Sequence, residues 1–229
     1  MTRDPQIERV ASERALGKQL RAEIEAAGSA RASLIALAVG SSTLPHYAGL
    51  DPSALGMAAK TFLPIDELVP QPARAQASFS QQLRRALPSQ FGDSLYAIRV
   101  EEPSRACEEL EARVQSDGIA ICVLGLGPDG HIAFNQPESS AETRTRLVEI
   151  LPENLARLGD VTPATHAITL GVASLLAAER IILVADGAGK ERALERILEG
   201  PEGSDVPASF LRRHPNCRVL VSEDTRDLP

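Results

Sequence analysis

The chain has 229 residues, of which 43% are hydrophobic, and a formal net charge of −7. This acidic charge argues against a nucleic-acid partner, because proteins that bind phosphate backbones carry concentrated positive charge. No apolar run approaches the ~20 residues that span a membrane, and the N-terminus lacks the apolar core of a signal peptide. We therefore expect a cytoplasmic protein with neither a nucleic-acid nor a membrane partner.

Helix-like and strand-like segments alternate along the chain without a linker. The first helix is predicted to begin at Asp4-Pro5 and to end at Gly28, because Leu16, Leu20 and Ile24 recur at four-residue spacing. The predicted strands are Leu34–Val39, Lys60–Ile65, Leu95–Val100, Ile119–Leu124, His166–Leu170, Arg180–Ala185 and Cys217–Val221. The later predicted helices are Thr43–Leu50, Gln71–Leu87, Pro103–Gln115, Val172–Glu179 and Lys190–Leu198. This order predicts an α/β fold in one domain over residues 1–229, with a single doubly wound, mostly parallel sheet and helices on both faces (three-layer, Rossmann-like).

A loop of small residues joins the first predicted strand to its helix. It contains Gly40, Ser41, Ser42 and Thr43. Small residues at a helix N-terminus leave backbone N–H groups and hydroxyls free to surround an anion, and the helix dipole favours negative charge there. The loop is therefore a candidate phosphate site, with plain helix capping by Ser42 or Thr43 as the alternative.

Two adjacent carboxylates, Asp66 and Glu67, follow the predicted strand Lys60–Ile65. Neighbouring carboxylates point in different directions, so they do not form a glycosidase pair. A single carboxylate at the end of a strand can serve as a general base if desolvation raises its pKa. The alternative is a pair that caps a helix or faces solvent.

The turn after the buried run Ile119–Leu124 carries the strongest functional signal. It places Asp129 two residues before His131 in a glycine-rich segment. A carboxylate beside an imidazole can fix its tautomer and raise its basicity, which suits proton transfer near neutral pH. The glycines of this turn also spell the dinucleotide-binding pattern, but Phe134–Pro137 is a poor helix start, so a nucleotide site is not expected.

A late lysine, Lys190, follows Gly187 after another buried strand and opens a predicted helix. The segment does not match a P-loop, because Glu191 stands where that motif requires a hydroxyl residue. A lysine in the first turn opposes the helix dipole unless an anion is shared there, and a solvated lysine is the alternative.

The cysteines and histidines suggest no metal site. Cys107, Cys122 and Cys217 match neither metal-ligand nor CxxC spacing, and an odd number favours free thiols in a reducing compartment. No three ligand-type residues group along the chain. We predict no metal and no cofactor.

The segment from Gly125 to Pro137 resembles the signature of the glucosamine-6-phosphate deaminase (isomerase) family, which shares its fold with the 6-phosphogluconolactonases. Its continuation Ile-Ala-Phe-Asn is similar to the deaminase branch. The resemblance extends over nearly the whole chain. It implies a three-layer α/β enzyme without cofactor that acts on a small sugar phosphate as a monomer or small homo-oligomer.

The resemblance also implies roles for individual residues. Asp66 would move a proton between C1 and C2 of an open-chain sugar phosphate, and His131, oriented by Asp129, would open the ring. The substrate phosphate would be held by Gly40, Ser41, Ser42, Thr43, Arg157 and Lys190. Ser139, Ser140 and Arg146 resemble positions used for an effector phosphate, but longer members continue past the last strand, so we expect no elaborate allostery.

Gln136 departs from the family pattern, which ends Phe-Asn-Glu-Pro with a glutamate that assists the histidine. Gln136 is therefore counted among the catalytic candidates, but an amide cannot hold a charge or a titratable proton. Three interpretations follow: a deaminase of reduced or altered activity, an enzyme for a lactone or a non-amino sugar phosphate, or a sensor that binds sugar phosphates without turnover.

Overall fold

Nine strands form two sheets in the computed structural model, which describes residues 5–72, 78–161, 163–187 and 190–223. The strands are β1 (Gln6–Val10), β2 (Leu34–Leu37), β3 (Thr61–Pro64), β4 (Asp66–Val69), β5 (Ile119–Gly125), β6 (Arg146–Glu149), β7 (His166–Thr169), β8 (Ile181–Val184) and β9 (Cys217–Ser222). Six of them form a parallel sheet in the order β1-β9-β8-β5-β2-β3. The other three form an antiparallel sheet in the order β4-β7-β6.

Helices cover both faces of the parallel sheet. They are α1 (Glu13–Ala26), α2 (Phe79–Ala86), α3 (Pro103–Asp117), α4 (Pro152–Arg157), α5 (Val172–Leu176) and α6 (Glu191–Leu198). Ile121 and Val123 of β5 pack in one apolar cluster with α1 and α2, while Cys122 and Leu124 pack in another with α3 and α6. Alternation of side chains along a strand buried on both faces produces this division. The predicted doubly wound, mostly parallel architecture is confirmed. No helix in the described part of the chain is long and apolar enough to cross a membrane.

The antiparallel sheet was not predicted. His166–Leu170 was expected in the main sheet, but β7 is instead the central strand of the small one. Its edges, β4 and β6, are four-residue strands in which charged residues interrupt the apolar pattern. Both pair with β7, so Thr169 lies opposite Asp66 on one side and Arg146 on the other.

The predicted start of the first helix is wrong. Gln6–Val10 is the edge strand β1, parallel to β9, and α1 begins only at Glu13. Ser12 caps α1 through its hydroxyl, which accepts a hydrogen bond from the Ala15 N–H at 3.2 Å. Residues 1–4, including Asp4, lie outside the described residues.

Three other predicted elements differ substantially from the structure, and the predicted helix Val172–Glu179 ends early, at Leu176. Thr43–Leu50 is not an α-helix, since its central part, Leu44–Gly49, forms a 3₁₀ helix. Of Gln71–Leu87, only Phe79–Ala86 is helical, and residues 73–77 lie outside the described residues. Leu95–Val100 forms no strand, because only Leu95 bridges to β3 while Ile98 and Val100 are buried in the core.

Candidate active site

A cleft of about 250 Å³ opens beside the carboxyl ends of β2 and β5. Ligands of open α/β sheets bind at this edge, where loops rather than strands form the walls. Eight of the predicted site residues line it: Gly40, Ser41, Ser42, Thr43, Asp66, His131, Arg157 and Lys190. The sheet topology therefore brings together segments that are as much as 150 residues apart in the chain.

The imidazole of His131 is held by Asp129. Nδ1 of His131 lies 2.6 Å from Oδ1 of Asp129, which also accepts the His131 backbone N–H at 3.2 Å. Burial opposes ionisation of Asp129, but the hydrogen bonds and charge of His131 outweigh it and lower the pKa of the carboxyl. An ionised Asp129 can only accept, so Nδ1 carries the proton and Nε2 of the neutral ring is free to act as a base.

The position of the His131 ring depends on Gly127. A Cβ added at Gly127 would lie 2.3 Å from two atoms of the imidazole, so no side chain fits there while the ring keeps its place. Backbone hydrogen bonds close the same turn: the N–H of Gly127 donates to the carbonyl of His131 at 2.9 Å, and that of Gly130 to the carbonyl of Gly127 at 3.0 Å. The turn therefore presents Asp129 and His131 as one rigid unit.

The two carboxylates of β4 have separate environments, because successive strand residues point to opposite faces. Asp66 lines the cleft and is 6% exposed. Burial raises the pKa of Asp66 well above its ordinary value, and the charge of Glu67 adds to the shift. Glu67 accepts hydrogen bonds from Ser78 and from the N–H groups of Phe79 and Ser80 at 2.7–3.0 Å. Glu67 thus anchors the start of α2, while Asp66 has the environment of a general base.

The loop after β2 divides into an outer and an inner part. Gly40 and Ser41 are exposed and Ser42 is half-buried, and all three line the cleft. The buried hydroxyl of Thr43 donates to the carbonyl of Ala38 at 3.0 Å and is therefore engaged inside the loop. The loop is followed by a 3₁₀ helix and not by an α-helix. An anion would therefore be bound by hydroxyls and local N–H groups, without the dipole of an α-helix.

Two cations face the same end of the cleft. Lys190 precedes α6 and donates through Nζ to the carbonyl of Leu126. Burial lowers the pKa of Lys190, the charge of Arg157 lowers it further, and Asp129 opposes the shift. Arg157, the last residue of α4, donates to Oδ1 of Asn154 at 2.8 Å. Two interacting positive charges that line one cleft favour a shared anion. Ala188 and Gly189, which precede Lys190, lie outside the described residues.

A family model of glucosamine-6-phosphate isomerases and 6-phosphogluconolactonase matches residues 8–220. The chain belongs to this family. It is 33% identical over 214 residues to a glucosamine-6-phosphate deaminase of Cutibacterium acnes, a match that covers 86% of this chain and 81% of the relative. It is also 33% identical over 207 residues to the glucosamine-6-phosphate deaminase of Streptomyces coelicolor, with 83% and 79% covered.

Solved structures of this isomerase–lactonase family share the fold. A monomeric glucosamine-6-phosphate deaminase superposes with a TM-score of 0.87 at 22% identity and covers 98% of this chain and 100% of its own. The 6-phosphogluconolactonase of Thermotoga maritima superposes with a TM-score of 0.77 at 20% identity, covering 96% and 100%. The architecture is thus common to both branches of the family and does not by itself choose between their reactions.

Gln136, which replaces the glutamate of the family motif, does not contact His131 as the motif suggested. Its side chain is 7% exposed and is bonded to the segment around α4, not to His131. Nε2 donates to the carbonyl of Glu149 at 2.8 Å, and Oε1 accepts from the N–H of Leu151 at 2.7 Å and from Nδ2 of Asn154 at 3.1 Å. The expected contact with the histidine is absent from the described hydrogen bonds.

Three further wall residues were not predicted from the sequence. Asn154 lines the cleft between Gln136 and Arg157, and its spacing of three from Arg157 on a helix was an available signal. Phe79 and Phe134 also line the cleft, with their rings stacked 6.2 Å apart. These two are adjacent only through the fold, because they lie 55 positions apart in the chain. Within the described residues, no group of His, Cys, Asp and Glu is arranged to hold a metal ion.

Proposed function

We propose that this protein is a glucosamine-6-phosphate deaminase, which converts glucosamine 6-phosphate and water to fructose 6-phosphate and ammonia. The observation that carries the proposal is the buried carboxyl of Asp66 in the same cleft as the His131 imidazole. Conversion of a 2-amino aldose to a ketose requires one base at C1 and C2 and a second group at the ring oxygen. The cleft supplies one candidate for each task.

The phosphate end of the substrate lies between Lys190, Arg157 and the serine loop. A phosphate monoester carries about −1.5 to −2 charge at neutral pH, which two cations neutralise. Arginine adds a planar fork of donors that matches phosphate oxygens, and the Ser41 and Ser42 hydroxyls complete the shell. This binding fixes the sugar with its reactive end toward Asp66 and His131.

Ring opening and isomerisation then use separate groups. Nε2 of His131 accepts the proton of the anomeric hydroxyl and returns it to the ring oxygen as the C1–O5 bond breaks. Asp66 removes the proton from C2 of the open chain and delivers it to C1, while a proton of the amine passes to the C1 oxygen, which leaves an imine at C2 and a hydroxyl at C1. Water adds to that imine and releases ammonia. A base with a raised pKa suits this step, because it both accepts and returns a proton.

The second candidate is a 6-phosphogluconolactonase-type hydrolase. The family model that matches the chain also covers 6-phosphogluconolactonases, and the fold is common to both branches. Incubation of the purified protein with each substrate separates the two. We expect ammonia and fructose 6-phosphate in equal amounts from glucosamine 6-phosphate, without added metal or nucleotide and with no effect of chelator. Rapid hydrolysis of 6-phosphogluconolactone with the amino sugar untouched would establish the hydrolase instead, and thermal stabilisation by both without turnover would indicate a binding protein.

Lys190→Ala is expected to raise KM for glucosamine 6-phosphate by at least ~10-fold and to change kcat by less than about threefold, because a phosphate contact acts equally on ground state and transition state. Ser42→Ala should act in the same direction with a smaller effect. Steady-state kinetics measure both, with Lys18→Ala on the exposed side of α1 as the matched control. A loss confined to kcat would move Lys190 from binding to chemistry.

A further inference from the structure

The amide of Gln136 links the end of β6 to the phosphate side of the cleft. We propose that Gln136 is a positioning residue that acts through Asn154 to hold Arg157 toward the substrate phosphate. The inference rests on the proposed function for the identity of the substrate. It assigns Gln136 to phosphate affinity and removes it from the proton transfers at His131.

The contacts of Gln136 require an amide. Its nitrogen donates to the Glu149 carbonyl while its oxygen accepts two hydrogen bonds, from Leu151 and Asn154. A carboxylate accepts at both oxygens and donates at neither. A glutamate at this position would place an anionic oxygen against the Glu149 carbonyl with no proton between them, in a site where the side chain is almost fully buried.

Asn154 connects Gln136 to Arg157, because both the nitrogen and the oxygen of its amide form hydrogen bonds. The residue is 4% exposed, its Nδ2 donates to Gln136, and its Oδ1 accepts from Nη1 of Arg157 at 2.8 Å. The bond to Gln136 therefore decides which end of the Asn154 amide faces Arg157. With the amide fixed, the long arginine side chain is held before the substrate arrives and loses less conformational freedom on binding.

Binding of inorganic phosphate tests this without any turnover. We expect Gln136→Glu and Asn154→Ala each to weaken phosphate binding, measured by isothermal titration calorimetry, by about tenfold. The double variant should bind phosphate no more weakly than the weaker-binding single variant. The effects of substitutions are not additive when one residue acts through the other. On glucosamine 6-phosphate, KM should rise by a similar factor, with kcat and its pH profile little changed. If Gln136→Glu does not fold, Asn154→Ala carries the test.

The control is Gln90→Glu, the same chemical change at an exposed position, which should leave phosphate affinity unaltered. Wild-type phosphate affinity in folded Gln136→Glu would overturn the inference. So would a gain in kcat or a shift in its pH profile, since either would place position 136 in proton transfer. Weaker phosphate binding by the variants of a protein that does not turn over glucosamine 6-phosphate would reject the proposed function and support this inference.

Discussion

Asp66→Asn is expected to reduce kcat on glucosamine 6-phosphate by at least ~10³-fold, within the range that positioned acid–base groups contribute. Asparagine keeps the size and shape of the side chain but cannot accept and return the proton that moves between C2 and C1. Asp66 is buried in strand β4, so the replacement has the same backbone support and the phosphate contacts remain in place. KM should therefore change little.

Ammonia release is the measurement, with Asp93→Asn at an exposed position as the matched control. A second readout is exchange of the C1 proton of fructose 6-phosphate with solvent deuterium, which should disappear with turnover. An Asp66→Asn variant that keeps more than about a tenth of wild-type kcat would show that another group supplies the base.

The same variant should be more stable than the wild type at neutral pH. Burial raises the pKa of Asp66, so the folded state binds this proton more tightly than the unfolded state. As the pH rises from the pKa of Asp66 in the unfolded state to its pKa in the folded state, the carboxyl loses its contribution to the free energy of unfolding. Asparagine does not titrate and has no such loss. We expect thermal unfolding at pH 7 to shift upward in Asp66→Asn and the difference to vanish near pH 3. For the wild-type enzyme, the acidic limb of kcat/KM should lie above the ordinary titration range of aspartate.

His131→Ala is expected to lower kcat by ~10²–10⁴-fold, because it removes the group that we propose opens the sugar ring. Asp129→Asn should cause a smaller loss in the same parameter. Its amide can donate to Nδ1 and so move the ring proton to Nε2, the wrong tautomer for a base at that nitrogen. KM should be nearly constant in both, because Lys190 and Arg157 remain.

Steady-state kinetics over a pH series test this pair of variants. His166→Ala is the control, since that imidazole contacts only its neighbour Thr165 among the described hydrogen bonds. Equal kcat values for Asp129→Asn and wild type would mean that the carboxylate does not set the tautomer. A raised KM in His131→Ala with an unchanged kcat would instead assign the imidazole to binding.

The parts of the fold that could be predicted are those whose signal is local. Strand β5 is a continuous apolar run because both of its faces are buried, and its pattern is independent of its partners. Strand β1 is mostly polar, lies at a sheet edge and forms through pairing with β9, which is more than 200 positions away. Leu95–Val100 shows the converse case, in which an apolar segment fills the core without joining a ladder.

The site divides in the same way. The Asp129–His131 pair lies within one turn, so spacing alone was sufficient to predict its contact. The separation of Asp66 from Glu67 required β4, a short strand in a sheet that the sequence pattern did not indicate. The family motif implied a contact between Gln136 and His131, but the hydrogen bonds of Gln136 go to residues 13 to 18 positions later, in a strand end and a helix that were not predicted. Side-chain direction in such segments is fixed by tertiary contacts rather than by local pattern.

The close approach of the imidazole to Gly127 changes how a substitution screen of this enzyme should be interpreted. In such a screen, loss of activity is commonly used to identify the groups that perform chemistry. Gly127 has no side chain, yet any replacement would displace the His131 ring. The activity lost would then be the same as if the ring itself had been removed. The absence of a side chain at Gly127 is what lets the His131 ring keep its place, so a loss of activity at this position reports a displaced ring and not a missing chemical group.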